Sequence, residues 1–254
     1  MAGRNNWTDE ETILAFYYYC QIPFGKIHKT NPLIIKIAEM IGRSPSAVVF
    51  KMGNLGHFDP SLQARNVKGL SNASKRDEQV VNKFIHDWES LAIQAKQIEA
   101  AFLQKSIEQV VGIDIANLPV GMDRKQLVNT RINQDFFREA VLSSYENTCC
   151  ITGINTPALL VASHIKPWSL SNQKTERTNP CNGLCLNALH DKAFDRGLIT
   201  ILPDYTIRVS STLLGNDDGT AWLSACNKEQ IKLPIRFLPA KEFLEYHNDM
   251  IFVP

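Results

Sequence analysis

The sequence predicts an α+β fold: a helical N-terminal region with a helix-turn-helix-like pair, then two short strands and a helix, a β-hairpin and a C-terminal helix. Three observations carry this prediction. Apolar residues recur at spacings of three and four through much of the N-terminal half, the period of an amphipathic helix. The run LLVASHIKPW, residues 159–168, is branched and apolar until it meets one histidine, as a buried strand ending on a polar group would be. LITILPDYTIRVS, residues 198–210, alternates apolar and polar positions on either side of Pro203 and Asp204, as two strands joined by a tight turn do.

With 254 residues the chain is long enough for one large domain or two of ordinary size. A composition 44% hydrophobic and 21% charged excludes extensive disorder. No apolar run reaches the roughly 18 residues of a membrane span. MAGRNNWTDEETI carries no apolar signal-peptide core, so a cytoplasmic protein without a membrane partner is expected. Six cysteines in a reducing compartment are then thiols or metal ligands rather than a disulfide framework. The net charge of +1 is unevenly spread: residues 1–76 hold ten Lys/Arg against five Asp/Glu, 77–123 three against eight, and 124–210 ten against seven. Two basic blocks flanking an acidic one would suit surfaces that meet a polyanion, although ordinary solvated faces give the same counts.

In chain order, Thr8 is a predicted N-cap with Glu11 three residues on as a capping box, and Trp7 is placed to staple onto Ile13 or Leu14. PLIIKIAEMIG predicts a second helix that stops at Gly42; Ser44 and Pro45 begin a third. In a helix-turn-helix geometry Arg43, Ser46 and Lys51 would point outward to DNA; a simple pair of packed helices explains the same apolar pattern. Residues 60–76 read as a basic connector, and 77–111 as one long linking helix or two. GIDIANLPVGMD breaks the pattern, which gives a helical, DNA-binding region at 1–111, a linker at 112–123 and a second domain at 124–254.

That second domain opens with a helix whose apolar stripe is Phe136, Phe137, Ala140, Val141 and Tyr145. Then come a strand ending at His164, a loop carrying Asn182, a short strand, and a helix that starts around His190 and stops at Gly197. The intervals from His164 to Asn182 and from Asn182 to His190 are eighteen and eight residues. Alone, His164 reads as a satisfied core histidine more readily than as a metal ligand or a general base. An imidazole titrates near neutral pH and so suits removal of a proton from water.

In VASHIKPWS…NPCNGLCLNALHDKAFDRGLITI, preceded by CCITG, the chain resembles the HNH endonucleases, with a core at about residues 145–210. The resemblance is to the branch of HNH restriction endonucleases, and implies a ββα-metal nuclease domain that cuts double-stranded DNA in restriction or defence. It implies His164 as general base, Asn182 as the amide that ties the loop to the strand, and His190 as the metal-side residue. The implied cofactor is a divalent cation, Mg²⁺ first, with Mn²⁺ or Ni²⁺ able to substitute. Lys166, Lys192 and Arg196 would then lie where phosphates pass.

Two departures stand out. Many family members place an Asp or His ligand just before the base; here it is Ser163, so the ion rests on His190 with waters or recruits Asp195, Asp191 or Asn187. The chain also has no CxxC pair, only Cys149–Cys150 and Cys181-x-x-x-Cys185, so buried thiols are expected rather than a structural zinc. Double-strand cutting implies two active sites, hence a homodimer. The competing readings are a DNA-binding regulator with an inert HNH core and a partner-recruited module.

Overall fold

The computed structural model describes residues 6–66, 70, 73–114, 123–214 and 220–254. The chain divides into two compact units, residues 1–136 with 173–178, and residues 137–172 with 179–254. Most of the expected 112–123 linker lies outside the described residues. The division itself falls inside a helix.

The first unit holds α1 (Asp9–Gln21), α2 (Pro32–Met40), α3 (Pro45–Gly56), α4 (Pro60–Ala64), α5 (Lys75–Phe84), α6 (Trp88–Leu103), α7 (Ile107–Val111) and the start of α8 (Arg124–Ser144). The capping box on α1 is formed: the Thr8 hydroxyl accepts from Glu11 N, and Thr8 N donates to the Glu11 carboxylate. Leu14, Phe16, Tyr17, Tyr18 and Tyr19 are all buried, as in a helix enclosed on every side. Its tyrosine hydroxyls are satisfied within that core, Tyr18 by Glu99 at 3.0 Å and Tyr19 by Asp59 at 2.8 Å. Phe136, at the junction within α8, stacks on Tyr17 and Trp88 with centroids 5.4 and 6.0 Å away. That packing draws the first half of α8 into this unit.

Residues 77–111 are divided among three helices rather than the one or two expected. The Asp87 side chain accepts from Ser90 N and starts α6 afresh, and Gln104 takes a left-handed conformation at φ 53° before Ser106 caps α7. The turn between α2 and α3 is made by Gly42 at φ +66°, with Ser44 capping α3. The two cations expected to point outward from this pair turn inward. Arg43 donates from Nε and Nη2 to Glu11 at 2.9 and 2.7 Å, and Lys51, buried, bonds Asp77 at 2.5 Å. Trp7 packs beneath both, 4.3 Å from the Arg43 guanidinium and 4.9 Å from the Lys51 ammonium. Ser46 and Phe50 form the exposed stripe of α3 in their place.

The second unit holds β1 (Leu160–His164), β2 (Gly183–Asn187), α9 (Ala188–Asp195), β3 (Ile199–Ile201), β4 (Ile207–Val209), α10 (Ala221–Ser224) and α11 (Lys241–Met250). β1 and β2 are antiparallel, with His164 opposite Gly183 at one end and Leu160 opposite Asn187 at the other; β3 and β4 form the expected hairpin. Side chains alternate between faces along a strand. Gly183 faces Phe137 and Val141 of α8, so His164 lies on that side, and Ser163 and Leu184 turn to the other. The six cysteines are free thiols. Burial pushes Cys150 well up and Cys185 to about 12, so both stay protonated.

His247 of α11 staples this unit together. The Thr200 hydroxyl meets its Nδ1 at 2.8 Å, its Nε2 meets the Phe194 carbonyl at 3.1 Å, and its ring stacks on Phe194 at 3.7 Å. Such pairing suits a neutral ring with its proton on Nε2, and burial holds the pKa down to about 4. A folded pKa below the unfolded one means the native state is favoured above pH 6.5 and loses that advantage as pH falls toward 4. The loss should reach about 3 kcal/mol by pH 4. Urea unfolding at a series of pH values checks this; His247→Gln should flatten the slope in that window, and an unchanged slope would assign acid lability to other groups.

Candidate active site

Asn182 organises the end of the β1–β2 hairpin. It is fully buried, and its amide oxygen accepts from Lys166 N at 2.8 Å while its amide nitrogen donates to Lys166 O at 3.1 Å and to Ser171 Oγ at 3.3 Å. Ile165 N donates to the Asn182 carbonyl at 2.9 Å. The chain leaving His164 is therefore held at three successive peptides. A buried amide pinned at both ends fixes backbone more stiffly than a surface loop could. Ser171 adds a clamp, donating from Oγ to the carbonyls of Lys166 and Pro167, each at 3.0 Å.

His164 is half-buried at the end of this stiffened strand. Its ring stacks on Phe137 with centroids 3.7 Å apart and planes 13° from parallel, and Trp168 meets it edge-on at 5.5 Å and 88°. Trp168 is thus a neighbour of the candidate base.

On the other face, Ser163 is 2% exposed and its hydroxyl lies close to Asp191 of α9. The approach is near enough to hold the Asp191 carboxyl down, although it falls outside hydrogen-bond geometry. Burial outweighs that effect and raises Asp191 above the usual carboxylate range. Asp195 is raised too, first by burial and then by the Asp191 charge. The two carboxylates are four residues apart on a helix and so share one face. Lys192 and Arg196 are exposed on the same helix, and Lys166 sets its ammonium 5.2 Å from the Tyr246 ring.

His190 lies elsewhere. The register puts Asn187, just before α9, four residues along the strands from the His164–Gly183 pair, about 13 Å at roughly 3.3 Å per residue. The His190 ring is 2% exposed, stands 5.2 Å from the Trp222 ring, and meets Asn187 through Nδ1, 3.0 Å from Nδ2 and 3.2 Å from Oδ1. Its Nε2 is buried without a hydrogen-bond partner, and burial lowers its pKa. Asn182 serves the loop leaving His164, and the His190 ring meets Asn187. Asn187 is itself committed. Its Oδ1 caps α9 by accepting from Leu189 N and His190 N, each at 3.1 Å, and its Nδ2 reaches Thr152 Oγ1 at 3.0 Å.

Among the described residues, no three His, Cys, Asp or Glu side chains converge closely enough to hold a metal ion. In the sequence Phe137 is only one position of an apolar stripe, and no local signal shows that Asp191 lies near Ser163.

Residues 149–202 match a family described as HNH endonuclease. The matched stretch runs from Cys149 through β1, the Asn182 loop, β2 and α9 into β3, and it points to nuclease chemistry for that part of the chain. A comparison with curated proteins finds no match.

Proposed function

We propose that this chain is a metal-dependent DNA endonuclease of the restriction or defence type, with His164 as its general base. The observation that carries the reading is the buried Asn182 amide, which fixes the loop leaving His164 inside the stretch similar to HNH endonucleases. His164 takes the proton of the attacking water at the solvent-facing end of the strand. Asn182 keeps the backbone under it still. Lys166, Lys192 and Arg196 receive the flanking phosphates, with Ser46 as a further exposed contact on α3. Arg43 and Lys51 are left out of this role, because their charges are spent on Glu11 and Asp77. A second copy of the chain would supply the second cut.

The groups fit a hard divalent ion. Asp191 and Asp195 sit on one helix face with raised carboxyl pKa values, Asp191 beside Ser163, and a cation there would offset their repulsion. An ion of the Mg²⁺ class bound there would supply positive charge for the phosphate and the leaving oxygen. Two carboxylates leave most of the coordination shell to water and phosphate. Asn187 is not a ligand in this reading.

A second reading is favoured by one specific observation, the unpartnered Nε2 of His190. If Nδ1–H donates to Asn187 Oδ1, Nε2 keeps a lone pair for a cation, with Asn187 orienting the ring.

Supercoiled plasmid is the test substrate, with Mg²⁺, Mn²⁺ or Ni²⁺ added singly. Asp191→Asn should raise the Mn²⁺ concentration for half-maximal nicking about tenfold or more, and His190→Ala should shift it far less. The reverse pattern would move the cation to His190. Plasmid binding with no nicking under any of the three ions would favour the inert regulator.

A further inference from the structure

We propose that Phe137 is a positioning residue for His164, and that residue 183 is glycine so that the Phe137 ring can lie under the imidazole. The inference rests on reading His164 as the base. Phe137 is 2% exposed, so it touches no DNA and acts only through the ring it supports. A Cβ at Gly183 would stand 2.3 Å from Val141 Cγ2 and 3.0 Å from Phe137 Cζ, closer than carbon atoms pack. Gly183 is also the register partner of His164. The space a side chain would fill across from the base is instead taken by two residues of α8.

The geometry has a chemical consequence. The terminal torsion of histidine is broad, so an unsupported imidazole swings and presents a nitrogen and a carbon in turn. A flat ring stacked 3.7 Å away limits its tilt, and the Trp168 edge at 5.5 Å limits its swing. General-base catalysis needs one nitrogen within hydrogen-bond reach of the water. A misplacement of about 1 Å can cost roughly 100-fold in rate.

Nuclear magnetic resonance of the full chain reads the stack directly. The His164 ring protons, assigned by their loss in His164→Ala, should lie upfield of free histidine through the phenyl ring current. Phe137→Leu keeps an apolar side chain and removes the flat face. It should abolish the upfield shift and lower kcat for Mn²⁺-supported nicking about 10- to 100-fold, with KM for plasmid and the Mn²⁺ requirement within about twofold. Gly183→Ala leaves both rings intact but crowds Phe137, and should lower kcat in the same direction. Unshifted His164 protons in the wild type, or wild-type kcat in Phe137→Leu, would overturn the inference. A fully active His164→Ala would instead remove the base assignment, and this inference with it; the case is recognised because the ring-current shift in the wild type persists.

Discussion

His164→Ala should lose plasmid nicking by about 10²- to 10⁴-fold, the range a positioned general base contributes, while duplex DNA binding and thermal unfolding stay close to wild type. Two features set these expectations apart. The side chain ends a strand whose path is fixed by bonds to backbone groups: Lys166 N to Asn182 Oδ1, Ile165 N to Asn182 O, and the pairing of β1 with β2. The ring itself is half-buried, so removing it exposes one face of Phe137 without opening a deep cavity. An equal loss of binding and cutting would indicate a damaged fold. Nicking at the wild-type rate, at matched protein and Mn²⁺, would end the base assignment.

The frame of this region was legible because its signals are local. A branched apolar run, a Pro-Asp turn and a helix stop at Gly197 each act within a few residues, and the strands, hairpin and helix end lie where those signals put them. The functional detail was less legible, because it depends on what lies across the fold. Phe137 reads as one more apolar position in a stripe; only the register of His164 with the bare backbone of Gly183 makes it a platform. Asp191 and Asp195 have a plain four-residue spacing, but nothing local shows that the His190 ring turns toward Asn187 and Trp222.

The N-terminal unit shows the same limit in charge. Hydrophobic period fixes which positions of α3 are apolar, but it carries no information about acids on distant helices. Glu11 lies 32 residues from Arg43, and Asp77 lies 26 from Lys51. Each acid consumes a cation that a helix-turn-helix geometry would point toward DNA. Truncating either partner of the Lys51–Asp77 pair would leave a buried charge uncompensated, so these residues answer to stability before they answer to any ligand. The excess of positive charge in residues 1–76 therefore overstates the basic surface available there.

Gly197→Ala should cost about 3 to 5 kcal/mol and lower the unfolding temperature by roughly 10 °C. Gly197 closes α9 with two bonds, Gly197 N to Phe194 O and Leu198 N to Ala193 O, each at 2.9 Å. That ending requires a left-handed residue, and Gly197 has φ +67°. Alanine there loses about 1 to 2 kcal/mol from backbone strain alone. The larger part is steric: an added Cβ would sit 2.1 Å from the Ile251 carbonyl oxygen and 3.2 Å from Phe252 Cα. Those are backbone atoms and cannot rotate away. Relief requires lifting the C-terminal segment, which breaks the 3.0 Å bond from Val253 N to Gly197 O and exposes Phe252. Gly153→Ala is the matched control, since Gly153 has φ +75° in the same unit with nothing within 4 Å of its would-be Cβ. It should show the backbone cost alone, a fall of a few degrees. Equal falls in the two variants would mean the C-terminal segment yields freely, and that the crowding over the end of α9 contributes nothing to holding the helix that carries Asp191 and Asp195.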